Sequence, residues 1–149
     1  MKYRIRIAKP ADETKIRELF LEMLRSIYQN ENGKGYQDGD LDRFWGESEN
    51  RIFVAEADEV IAFLSAEIYR EPALYMYLDD FSVAEPYRNQ GVGTELIHTA
   101  ESYARRKRIP AVFLHAEKSN GSAIRLYARL GYSVVKEEGS RILFQKELS

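Results

Sequence analysis

The chain has 149 residues, a formal net charge of -2, 44% apolar and 31% charged residues, and no cysteine. That size suits a single domain with its own core, and the near-neutral charge argues against a general nucleic-acid binder, which carries a basic excess. The lack of cysteine excludes disulfides, thiolate metal ligands and a cysteine nucleophile.

No run approaches the ~20 apolar residues that span a bilayer, and Met1-Lys2-Tyr3-Arg4 lacks an apolar signal core. The expectation is a cytoplasmic protein without membrane association. Residues 3–8 alternate Arg4 and Arg6 with Ile5 and Ile7, a half-buried strand. Pro10-Ala11-Asp12 reads as a stop and a helix start, with Asp12 the candidate N-cap. Ile16, Leu19, Phe20, Met23, Leu24 and Ile27 recur at helical spacing, which predicts an amphipathic helix over 12–28. Glycines and polar residues make 30–39 a loop, with a short helix over 41–45. Residues 51–57 and 60–69 are strand-like and meet at Asp58-Glu59, a hairpin. A third strand covers 74–83, after the break at Glu71-Pro72.

A helix follows over 92–107. Its closing Arg105-Arg106-Lys107-Arg108 complements the helix dipole rather than binding nucleic acid, since no aromatic platform accompanies it. Pro110 stops that helix and 111–116 forms a strand. Ser119-Asn120 then caps a helix whose Ala123, Ile124, Tyr127 and Leu130 share one face, and Gly131 occupies the left-handed C-terminal position. Strands over 132–136 and 141–146 flank Glu138-Gly139 as a closing hairpin. The order β-α-α-β-β-β-α-β-α-β-β predicts an α/β fold with a mixed sheet. Without repeats or linkers, residues 1–149 read as one domain.

The run Tyr87-Arg88-Asn89-Gln90-Gly91-Val92-Gly93-Thr94 joins a strand to a helix start. Helix-terminal N–H groups and the dipole suit a phosphate there, and two glycines let the backbone approach it without a Cβ in the way. A P-loop would close on Gly-Lys-Ser/Thr, whereas this turn closes on Gly93-Thr94-Glu95. A dinucleotide fingerprint needs three spaced glycines early in a parallel strand series; here two follow hairpin strands.

The Arg-x-x-Gly-x-Gly pattern formed by Arg88, Gly91 and Gly93, after an extended strand, resembles the GNAT superfamily of acetyl-CoA-dependent N-acetyltransferases. So does Asn120-Gly121-Ser122-Ala123-Ile124-Arg125-Leu126-Tyr127-Ala128-Arg129-Leu130-Gly131-Tyr132. Tyr77-Leu78-Asp79-Asp80-Phe81 is similar to the strand before the turn in small-amine acetyltransferases. The resemblance, along essentially the whole chain, implies the GNAT fold: a mixed sheet of about six or seven strands flanked by about four helices, with splayed central strands holding acetyl-CoA. It implies that the pyrophosphate rests on the amides of Gln90, Gly91, Val92, Gly93 and Thr94, with Arg88 and Asn89 shaping the turn. The pantetheine arm would run between 81–83 and 111–116, bonded by the backbone of Phe81 and Val83 and reached by Asn120.

Amide formation from a thioester needs a neutral amine, although a free alkyl amine with a pKa of about 10.4 is almost wholly protonated at neutral pH. A carboxylate can take the proton as attack proceeds. Asp79 and Asp80 are the candidates, and strand alternation sends them to opposite faces. The resemblance places a base or amine ligand at one or both, with Asp79 favoured by a glutamate in a related polyamine-type pattern. It places Tyr127 at the position of the general acid for the departing thiolate; core packing with Ile124 and Leu130 is the competing role. The Val83 N–H is the expected oxyanion donor. His115, on the strand beside the site, is a proton-relay candidate, and His98 is expected on the surface. Two separated histidines make no metal site.

In this family the first helix, its following loop and the central strands shape the acceptor pocket. Residues 29–50 hold six acidic side chains against Lys34 and Arg43, with Tyr36, Phe44 and Trp45 in the segment and Tyr28 just before it. That mixture favours a cationic acceptor, contacted by Tyr28, Tyr36 and Asp38. The expected reaction is acetyl transfer, by direct attack in a ternary complex, to a primary amine of a small cation such as a polyamine, an aminoglycoside-like amine or a lysine-like compound. The alternatives are a protein lysine or N-terminal acetyltransferase, and an acyl-CoA-binding sensor without turnover. The expected partners are a small-molecule amine, no nucleic acid, and a second copy of the chain in a homodimer, for which the closing hairpin offers edge strands.

Overall fold

In the computed structural model, which describes residues 2–26 and 33–149, the chain runs β1 (Arg4–Ile7), α1 (Glu13–Ser26), β2 (Arg51–Glu56), β3 (Val60–Tyr69), β4 (Tyr75–Val83), α2 (Val92–Arg106), β5 (Ala111–Glu117), α3 (Gly121–Arg129), β6 (Ser133–Glu138) and β7 (Arg141–Glu147). The seven strands form one sheet in the order β1-β2-β3-β4-β5-β7-β6. Neighbours are antiparallel except β4 and β5, which are parallel. Tyr28 lies outside the described residues.

Alternation along the strands splits the apolar residues into two cores. On one face Ile16 and Leu19 of α1 meet Leu41, Phe44, Ile52, Val54 and Phe63. On the other, Leu96, Ile97 and Ala100 of α2 and Tyr127 of α3 pack over Phe53, Leu64, Met76, Leu78, Val112, Leu114 and Phe144. The buried positions of α2 recur at helical spacing, which is why this segment is a helix. It ends where Arg108 turns left-handed, at φ 59, and the Ile109 N–H closes on the Ala104 carbonyl. At the start of α3 the Asn120 carboxamide oxygen accepts from the Ala123 N–H at 3.2 Å, and Gly131 beyond its end has φ 95.

Two expectations need correction. The described residues contain three α-helices rather than four, because the segment expected as a helix over 41–45 holds only a 3-10 turn (Asp42–Phe44). Asp12 closes a 3-10 turn (Pro10–Asp12) instead of capping α1. Its carboxylate accepts from the Lys9 N–H at 2.9 Å and from both terminal nitrogens of Arg6 at 2.8 and 2.9 Å. A nearly buried aspartate with a bidentate arginine partner is better held there than at a helix start.

Two irregularities shape the centre of the sheet. β4 and β5 pair only at Met76/Val112, Tyr77/Phe113 and Leu78/Leu114, and then part. Just beyond, the β3–β4 register slips: Ala66 faces Leu78 while Leu64 faces Phe81, so Ser65 alone opposes Asp79 and Asp80.

Candidate active site

The parting of β4 and β5 opens a cleft of about 1170 Å³. One wall is β4 from Tyr77 to Val83; the other includes His115, Ala116 and Glu117 of β5 with Asn120, Ala123, Arg125 and Tyr127. Backbone direction along β4 follows from its neighbours. The Asp80 N–H donates to Ser65 Oγ at 2.9 Å and the Ala84 N–H to the Ile61 carbonyl at 2.8 Å, both toward β3. By alternation the main-chain groups of Phe81 and Val83 point into the gap. There Arg88 Nε donates to the Val83 carbonyl at 2.8 Å, and Arg88 Nη2 donates to Ser26 Oγ at the end of α1 at 3.2 Å.

At the far end the cleft meets the first turn of α2, where Gly91, Val92, Gly93 and Thr94 line it beside Arg88 and Asn89. Amides in a first helical turn have no partner inside the helix and carry the positive end of its dipole. Such a turn can hold an anion. Asn89 and Gly91 both adopt positive φ, at 62 and 85, bringing the chain around into the helix. The two glycines differ in purpose. A Cβ on Gly91 would meet nothing within 4 Å, whereas one on Gly93 would lie 2.6 Å from Phe81 Cζ. Gly93 therefore makes room for the Phe81 ring, a packing role beside the anion approach expected of it. Gly93→Ala should destabilise by about 1–3 kcal/mol through overpacking, seen as a lower melting temperature, and a second change, Phe81→Leu, should recover part of the loss. Gln90 does not line the cleft; its side chain donates to the Pro86 carbonyl at 3.1 Å.

The bulge overturns the expectation that Asp79 and Asp80 face opposite ways. Leu78 and Phe81 both pack into the α2-side core, three residues apart, which a regular strand cannot do. The two carboxylates between them both enter the cleft. Asp79 stands at the exposed mouth; its carboxyl is raised, first by loss of hydration and then by the charge of Glu67. Asp80 is deeper. Burial, and then the Asp79 charge, push it up to about 6, against the opposing pull of a Tyr36 hydrogen bond. The Tyr36 hydroxyl donates to Asp80 Oδ2, and the Tyr36 ring stacks on Phe20 of α1 at 4.4 Å. Burial and the Asp80 charge raise the Tyr36 phenol, which keeps it a donor. Two neighbouring carboxylates of this kind can share a proton near neutral pH.

Tyr127 lies in the same cleft, buried, with its ring 5.8 Å from Phe144 and 6.2 Å from Tyr132. The packing and cleft roles coincide in one side chain. His115 lines the cleft and His98 is exposed. Among the described residues the acidic segment does not converge on the cleft. Asp38 is on the surface, 3.0 Å from Arg17; Asp40 accepts from the Gln37 N–H; Glu49 pairs with Arg70. Negative charge at the cleft mouth comes instead from Asp79 and Asp80; Glu67 nearby is paired with Arg43 at 3.1 Å. Ser65 and Glu138 belong to the site's surroundings and were not anticipated; a lone serine in the apolar run of β3 is the signal that marks the first. Among the described residues no group of three or more histidine, cysteine or acidic side chains could hold a metal ion.

The acetyltransferase (GNAT) family profile matches residues 21–132, three quarters of the chain and most of the residues that line this cleft. The chain belongs to the GNAT family. A probable N-acetyltransferase, camello, of Xenopus laevis is 33% identical over 95 residues, covering 62% of this chain and 43% of that protein. Streptothricin acetyltransferase A of Bacillus subtilis is 30% identical over 96 residues, covering 64% of this chain and 56% of that protein. Both matches reach only about half the relative's length. Among solved GNAT structures, the PaiA N-acetyltransferase of Thermoplasma acidophilum in complex with coenzyme A superposes with a TM-score of 0.84 at 19% identity, covering 99% of this chain and all of that one. Ard1 of Thermoplasma volcanium superposes with a TM-score of 0.77 at 22% identity over the full chain. At those identities the likeness is one of fold, and it agrees with the seven-stranded sheet and its parted centre.

Proposed function

We propose that the protein transfers an acetyl group from acetyl-CoA to a primary amine. The observation that carries this reading is a single cleft with a helix-terminal anion cradle at one end and a pair of raised carboxylates at the other, joined by an unpaired strand edge. Acetyl-CoA fits that layout. Its pyrophosphate belongs on the first-turn amides of α2, and its pantetheine amides belong against the main chain of Phe81 and Val83. The Asn120 side chain lies across the gap from them. The thioester then stands near Asp79, Asp80 and Tyr127.

Asp80 is the better placed of the two carboxylates to take the amine proton, because it is half-buried, oriented by Tyr36 and adjusted close to neutral. Asp79, at the mouth, meets the incoming ammonium. The Val83 N–H is the donor for the developing oxyanion, and Tyr127 gives a proton to the departing thiolate. The acceptor reading is a small amine carrying positive charge. Its support is the pair of cleft carboxylates, Asp79 and Asp80, together with a relative named for acetylating streptothricin.

Incubation with acetyl-CoA and a panel of small amines and amino-terminal peptides, followed by free-thiol release, tests the reading. Turnover should favour the small cations; thiol release on no amine, with acetyl-CoA bound, would leave a binding module. Tyr127→Phe should lower kcat about 100-fold with little change in acetyl-CoA affinity, and an unchanged kcat removes Tyr127 as the acid.

A further inference from the structure

Three hydrogen-bonded side chains leave the cleft across one face of the sheet. The Tyr77 hydroxyl on β4 lies 2.5 Å from His115 Nδ1 on β5, and His115 Nε2 lies 2.5 Å from Glu138 Oε1 at the end of β6. Tyr77 and His115 both line the cleft. Pairing of β4 with β5 ends at Leu78/Leu114, so His115 is the first β5 residue beyond it, across the opening from Asp79. A carboxylate only accepts, which assigns the imidazole hydrogen to Nε2 and leaves Nδ1 to receive the Tyr77 O–H. Exposure rises outward along the row, from 15% for the His115 side chain to 34% for Glu138.

Transfer to an ammonium gives this row a task. The reaction forms a C–N bond, breaks the C–S bond and strips two protons from nitrogen. The thiolate keeps one; the other must reach water before the carboxylates can act again. We propose that Tyr77, His115 and Glu138 carry that second proton away. Tyr77 passes its proton to His115 Nδ1 as it takes one, through water in the cleft, from the aspartate pair, and Glu138 holds the resulting imidazolium until the product leaves and Nδ1 releases the proton to solvent. The inference rests on the transfer reading above. It follows the logic by which a carboxylate orients a histidine and stabilises its charged form.

Charged groups flank His115 and Tyr77 on neighbouring strands. Asp79 faces His115 from β4 and Glu138 bonds it from β6, with Lys136 3.1 Å from Glu138, while Arg141 of β7 lies beside Tyr77 and Asp79.

His115→Gln keeps hydrogen-bonding groups toward both neighbours and cannot accept a proton. It should lower kcat about 10-fold to 100-fold, leave the KM for acetyl-CoA essentially unchanged, and lose least at high pH, where solvent takes the proton directly. Added imidazole should restore turnover to His115→Ala, which a purely structural role would not allow. In the ligand-free protein, nitrogen NMR should find the His115 hydrogen on Nε2, and Glu138→Gln should shift that signal; a hydrogen on Nδ1 overturns the path. Variants that match the wild type in kcat and pH profile overturn the relay alone. A wild type that turns over no amine removes the transfer reading, and the relay falls with it.

Discussion

Asp80→Asn should slow turnover about 100-fold to 1,000-fold, the range expected on losing a positioned general base, while acetyl-CoA binding changes little. The more telling result is in the pH profile. The base acts only when ionised, so wild-type kcat/KM should fall as the pH drops through about 6, the region to which burial and the Asp79 charge raise Asp80. In Asp80→Asn that acid limb should disappear. The neighbours move it in opposite directions. Asp79→Asn removes a like charge, lowers the Asp80 pKa and should carry the limb to lower pH. Tyr36→Phe removes a hydrogen bond that favours the carboxylate and should carry it to higher pH. Stopped assays across pH 5 to about 8 read all three. A limb that stays in place in Asp80→Asn would pass the base role to Asp79.

The second large effect concerns stability. Glu101 of α2 is only 2% exposed and is held by the Tyr132 hydroxyl at 2.8 Å and by Lys146 Nζ of β7 at 3.1 and 3.2 Å. Lys146→Met removes the cation and leaves a charge in the core with one neutral donor. Breaking a buried pair in this way costs about 3–5 kcal/mol. In a chain of this size that lowers the melting temperature by roughly 6–20 °C. The double change Glu101→Gln with Lys146→Met should regain much of the loss, since no charge is then stranded. Activity should drop as well, because Tyr132 anchors the end of α3: its N–H donates to the Tyr127 carbonyl at 3.0 Å. A melting temperature within a degree or two of wild type would mean that water replaces the lysine.

The parts of the fold read correctly from sequence are those governed by short-range rules. Apolar spacing marked α1, Asn120 and Gly131 bracketed α3, and the pattern at Arg88, Gly91 and Gly93 located the turn at the end of β4 and the start of α2. The parts misread depend on partners distant in the chain. Asp12 resembles an N-cap until Arg6 is found beside it, and Asp38 looks like a recruiting charge until Arg17 claims it. The bulge is the clearest case. Asp79-Asp80 in sequence is simply two strand residues; only the Ser65 hydroxyl on β3, taking the Asp80 N–H, breaks their alternation. Tyr77, His115 and Glu138 come from three strands, and no spacing rule gathers them.

The joint between β4 and β5 is three rungs long. On one side lies a four-stranded half-sheet braced by α1, on the other a three-stranded half braced by α3, and those rungs are the main-chain ladder between them. The opening is thus a property of strand pairing and not of any side chain. Substitutions along its walls alter what the molecule holds there, but only a shift of register could zip it shut.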